Sequence, residues 1–151
     1  YYMYYGYITD EASKYGEILL NDKFTAKKAQ EGTLGIEDVS NYVMSLQASV
    51  VQYFRIYCPY HEAADLTTNV AIWLARLNRL KYASFIPCLM AAFQVKIKSE
   101  KSLLDMLKAM ERYIFLVFRI SQRRSNTGRT FFYSRAKDIY SGTKDIYEFI
   151  D

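Results

Sequence analysis

Six basic residues and no acidic one lie between Arg119 and Lys137: Arg119, Arg123, Arg124, Arg129, Arg135 and Lys137. A guanidinium is a planar fork of donors that grips phosphate oxygens in pairs. At 3.6 residues per turn, Arg112, Arg119 and Arg123 fall on one stripe of a helix. The stripe runs into a turn-like segment holding Arg124, Asn126 and Arg129, where backbone N–H groups add further donors. That constellation suits contact with the phosphate backbone of DNA. The same residues also suit a basic helix end that complements its own dipole and pairs internally with Glu100, Glu111 and Asp138. Residue types and spacing leave both readings open.

Other reactive groups are sparse. Glu111 beside Arg112 sits among apolar neighbours, where a carboxylate needs a cationic partner, and arginines one or two turns along supply one. No second carboxylate stands at a spacing that marks a metal or an acid–base pair. Cys58 and His61, the one histidine, have ligand-like spacing, but two ligands do not make a zinc site. A packing or surface role for His61 is the expectation. Neither Cys58 nor Cys88 has an adjacent basic residue that would activate a thiolate. With no glycine-rich phosphate loop either, the segment points to no catalytic residue, no cofactor and no metal of its own.

These groups must be carried by a scaffold, and composition says what kind. The chain has 151 residues, 51% of them hydrophobic, with 6 Gly and only 2 Pro. Long apolar patterns with little turn material favour helices over a β-sandwich. Charge is uneven. Residues 1–75 carry 5 Lys+Arg against 9 Asp+Glu, and residues 76–151 carry 15 against 7. The basic half attracts anions; the acidic half reads as solvated helix faces. Two cysteines make no disulfide framework, so a reducing cytoplasm is expected. The longest apolar run, Phe85 to Phe93, is too short to span a bilayer, and no stretch with a basic start and an apolar centre reads as a signal peptide. Five of the first seven residues are tyrosines and the first is not Met, which reads as a piece of a larger protein.

Periodicity predicts an all-α, single irregular bundle of about six helices, with residues 1–35 as linker-like N-terminal helices and 36–142 as the core bundle. A weak helix is expected over 3–20, and a short helix or loop over 21–35. A strong helix follows over 36–57, its core face drawn from Val39, Tyr42, Val43, Leu46, Val50, Tyr53, Phe54 and Tyr57. Pro59 stops it. Asp65 or Thr67 caps the next helix, which runs to about Leu80 on Val70, Trp73, Leu74, Leu77 and Leu80, with Arg76 and Arg79 opposite. A break at 81–84 leads to a buried helix over 85–97 with Pro87 in its first turn. Ser99 caps a helix to about Gln122 with a core face of Leu103, Leu107, Met110, Ile114 and Val117. A short helix over 130–140 uses Phe131, Phe132, Ala136, Ile139 and Tyr140 and ends at Gly142. One more turn is expected over 143–150.

Three pieces in this order carry a resemblance. They are Trp73-Leu-Ala-Arg-Leu-Asn-Arg-Leu-Lys-Tyr-Ala-Ser-Phe-Ile-Pro87, Glu111-Arg-Tyr-Ile-Phe-Leu-Val-Phe-Arg119 and Arg123-Arg-Ser-Asn126. Together they resemble the central helical region of GmrSD-type proteins, which are modification-dependent (type IV) restriction endonucleases. The resemblance covers about residues 66–142, and the helix at 36–57 more loosely. It implies a parent protein in anti-phage defence, with a nucleotide-binding domain before this region and, in many members, an HNH nuclease domain after it. The signature residues of neither domain are found here, so the resemblance places bond cleavage outside this segment. The matching positions are Arg76, Glu111, Arg112, Arg119, Arg123 and Asn126. The implied role is a non-catalytic accessory domain that links the flanking domains and offers a basic surface to DNA. The alternative is a purely structural, protein-interaction module. Oligomeric state stays open.

Overall fold

A computed structural model of the chain describes residues 18–95, 99–121 and 128–143. Among them are six α-helices and no strand: α1 (Ala26–Gln30), α2 (Ile36–Tyr57), α3 (Thr68–Arg79), α4 (Ile86–Gln94), α5 (Glu100–Ile114) and α6 (Arg129–Ser141). The expected all-α bundle forms. Short 3-10 turns at Glu62–Ala64 and Ala83–Phe85 precede α3 and α4, and π-helical segments occupy Ile18–Lys23 and Phe115–Ile120. Most of the helix expected over 3–20, and nearly all of the turn over 143–150, lie outside the described residues.

Local chemistry sets the helix ends. The Asp38 carboxylate accepts the Gly35 N–H at 3.0 Å, satisfying a donor at the start of α2. Thr67, rather than Asp65, caps α3, its Oγ1 accepting the Val70 N–H. Asp65 is instead left-handed, with φ 48°, and closes the preceding turn. Ser99 caps α5 through the Ser102 N–H. Pro87 stands in the first turn of α4, where its missing N–H costs nothing. Gly142 ends α6 at φ 69°, a conformation open to glycine.

Helix α4 is the centre of the core. It packs most extensively on α6 and also on α2, while α3 packs on α5. Leu74 and Leu77 of α3, Leu89 of α4, Met106, Leu107 and Met110 of α5 and Phe132 of α6 are wholly buried. Two side-chain ties fix α3 against α5. Thr67 Oγ1 donates to Glu100 Oε1 at 2.8 Å, and Arg76 donates to Glu111. One tie joins the two starts and the other joins the last turns, so α3 and α5 run parallel.

Several sequence expectations change. Phe85 belongs to the turn before α4, and α4 itself stops at Gln94. On α5, which ends at Ile114, Met106 is buried and Leu103 packs only partly; Val117, half-buried, lies beyond it in the π-helical segment. Phe131 and Tyr140 of α6 are exposed, leaving Phe132, Ala136 and Ile139 to face the core. The largest correction concerns α2. Six of its eight expected core residues are exposed, and the core instead receives Ser49 and Ile56. Ser49 is small enough for α4 to approach, and Gln94 Nε2 donates to its hydroxyl at 3.4 Å.

Candidate functional site

The last turns of α3 and α5 hold the charged groups singled out by the sequence. Their side chains divide sharply into engaged and unengaged. Glu111 turns inward from α5, and Arg76 reaches across from α3 with both arms. Nε stands 3.0 Å from Oε1 and one terminal nitrogen 3.1 Å from Oε2. The Arg76 guanidinium also lies 4.1 Å from the Trp73 ring centroid. Glu111 therefore draws compensating charge from another helix, and not from Arg112 beside it. A two-armed Arg–carboxylate pair resting on an indole holds helix register well, although its partial exposure keeps its energy to about 1 kcal/mol or less.

Arg135 makes a second internal contact, 3.5 Å from Asp138 Oδ2 one turn along α6, with its guanidinium 5.3 Å from the Phe131 ring centroid. Glu100 receives the Thr67 hydroxyl. Two of these three carboxylates are thus paired with arginines, Glu111 with Arg76 and Asp138 with Arg135, itself a member of the basic run. The side chain of Arg112, in the last turn of α5, is exposed and has no ion pair or hydrogen bond with a described residue. Of the other candidate residues, Arg119 falls in the π-helical segment and Arg129 opens α6; only their backbones are described. Arg123, Arg124 and Asn126 lie outside the described residues.

The winding after Ile114 alters the stripe. From Phe115 the backbone hydrogen bonds span five residues, as in the Ser121 N–H donating to the Leu116 carbonyl at 3.1 Å. The 3.6-residue backbone period that defines a stripe from Arg112 to Arg119 therefore ends at Ile114. This segment also exposes Phe115, Leu116 and Ile120. It is anchored through Phe118, whose ring lies 4.4 Å from that of Tyr82. Tyr82, Phe85, Tyr113 and Phe132 complete an aromatic cluster with ring centroids 5.2–6.2 Å apart. Burial pushes the Tyr82 phenol above its ordinary pKa.

Gly128 closes this corner. At φ 79° it precedes α6, and a Cβ there would run into the Tyr113 hydroxyl. The sequence marks Gly128 only as part of a polar connection, because its partner is fifteen residues away.

The remaining candidates are engaged in structure. His61 Nδ1 accepts the Ala63 N–H at 3.1 Å, and its ring meets Phe54 edge-on at 5.2 Å. Among the described residues no three His, Cys, Asp or Glu side chains come together in a group that could hold a metal. Cys88 is buried, and that burial pushes its thiol far above the usual range, with Arg135 offsetting it in part. No described helix is long and apolar enough to cross a membrane.

No known family model matches this chain, and neither a curated protein nor a solved structure does. The fold class is all-α, defined by the bundle itself.

Proposed function

We propose that this chain is a non-catalytic helical accessory domain that links flanking domains of a DNA-restriction protein and offers phosphate a basic surface at the C-terminal end of α5. The observation that carries the reading is Arg112. It stands exposed without a carboxylate while Arg76 and Arg135 are committed to Glu111 and Asp138. The resemblance to GmrSD-type proteins and the net positive charge of residues 76–151 support the same surface. Phosphate contact by this arginine run needs no base-specific geometry, so it supplies affinity and orientation rather than sequence recognition.

The test is fluorescence anisotropy of labelled duplex DNA titrated with the full chain over a range of salt. Binding in the micromolar range or weaker is expected, falling steeply as salt rises. Replacing Arg112, Arg119, Arg123, Arg124 and Arg129 by Ala should flatten the salt slope by about 0.9 for each phosphate no longer neutralised. No binding at low salt, or an unchanged slope in the variant, rejects the reading. A second reading, a protein-interaction module, is favoured by a separate observation: the exposed apolar surface of α2.

A further inference from the structure

Ile36, Val39, Val43, Leu46, Val50, Tyr53 and Tyr57 succeed one another along α2 at steps of 3, 4, 3, 4, 3 and 4. That is an unbroken a/d heptad seam three heptads long. A seam of this period is narrower than the apolar face of an ordinary surface helix, and it is the face one helix presents to another. Every one of the seven is exposed, from 38% at Leu46 to 90% at Ile36. The residues that α2 turns toward its own bundle form a different row, among them Ser45, Ser49, Gln52 and Ile56. At 100° per residue that row lies roughly a third of a turn from the seam. Packing against α4 therefore leaves the seam uncovered.

We infer that α2 pairs with α2 of a second copy of this chain in a parallel two-stranded coiled coil. Three observations choose this occupant. Positions a hold Ile36, Val43, Val50 and Tyr57, three of the four β-branched, and the central position d holds Leu46 between Val39 and Tyr53; β-branched residues at a around a central Leu at d favour two parallel strands. No charged residue occurs between Val39 and Phe54, so the seam's borders neither repel an identical helix nor select an oppositely charged one. The surface is also adequate. At 1.5 Å per residue the helix is about 33 Å long. Tyr53 and Tyr57, each about half exposed, offer on the order of 200 Å² between them. Five aliphatic side chains add to this, toward the roughly 800 Å² per partner of a standard interface. The two tyrosine rings, 4.4 Å apart, already form one continuous surface at the C-terminal end.

Sedimentation equilibrium of the full chain over a hundredfold concentration range tests this. A monomer–dimer equilibrium is expected. Val43→Glu with Val50→Glu should shift it to monomer at every concentration while leaving helical circular dichroism unchanged, because both side chains are outside the core. In a Cys58→Ser background, Val43→Cys should form an interchain disulfide under mild oxidation, since a parallel seam places each a residue beside its counterpart. The inference is overturned if the native chain stays monomeric, if the double Glu variant still dimerises, or if Val43→Cys fails to cross-link in a dimer. A monomer that dimerises only after removal of residues 1–17 would overturn it in favour of those residues as the cover. A monomer in both forms would overturn it in favour of a different partner. DNA binding is read separately, so failure of either proposal leaves the other standing.

Discussion

Helix α4 buries seven of its nine residues, whereas α2, more than twice as long, buries two of its twenty-two. Both are rich in apolar side chains and nearly free of charge in their interiors. The difference lies in how the apolar residues are distributed around the axis. In α4 they surround it, so no orientation avoids burying them, and the helix becomes the centre against which α2 and α6 pack. In α2 they concentrate on a seam, leaving Ser45, Ser49 and Gln52 to face the bundle. Small and polar side chains there allow close approach and a hydrogen bond from Gln94. Apolar content thus says that a helix will be covered, and angular width says whether its own chain does the covering.

The sharpest way to break this comparison is to delete the same kind of group from each helix. Leu89→Ala in α4 should lower the unfolding free energy by about 2–5 kcal/mol, because the void left at a wholly buried site collapses only partly. Val50→Ala in α2, measured by urea denaturation at a dilution where the chain is monomeric, should change it by no more than about 0.5 kcal/mol. Equal effects would place both side chains in one core.

A smaller effect is expected where α2 is held at its C-terminal end. Asn78 Nδ2 donates to the Ile56 carbonyl at 2.7 Å, tying α2 to α3. Asn78→Ala leaves that carbonyl without this donor and should cost about 1–3 kcal/mol in the same denaturation series. A neutral result would mean that water replaces the amide.

Alkaline pH should give the smallest effect and refine the same contrast. Burial raises the Cys88 thiol pKa in the folded chain, while the unfolded chain ionises near the ordinary thiol value. Above that value the unfolded state holds fewer protons than the folded one, so stability falls as pH rises. The loss begins near pH ~8–9 and continues toward the raised folded value. Cys88→Ala should flatten part of this decline in urea midpoints between about pH 8 and 10.

Much of the fold is legible in the residues themselves. Thr67, Ser99, Pro87 and Gly142 act locally, and each lies where its hydrogen-bonding or backbone preference puts it. The parts that resist a local reading depend on residues far apart in sequence. Glu111 is neutralised by Arg76, thirty-five positions away, and Gly128 is constrained by the Tyr113 hydroxyl. The winding change at Phe115 has no Pro or Gly to announce it, so an arginine stripe drawn at 3.6 residues per turn crosses a segment of different period. For α2 the signal is present in the strict 3–4 stepping, but such stepping suits a face buried within one chain as well as a face buried between two. The basic run is legible as charge; which carboxylate Arg76 and Arg135 each take is not.

The placement of the two cysteines gives this molecule an internal clock. Cys58 lies open to solvent at the end of α2, whereas Cys88 is sealed among the side chains that hold the bundle together. A thiol reagent will reach the first directly and the second only as often as the bundle opens. The lag between them reports the opening free energy under native conditions, without denaturant, as long as reclosing outruns the reaction.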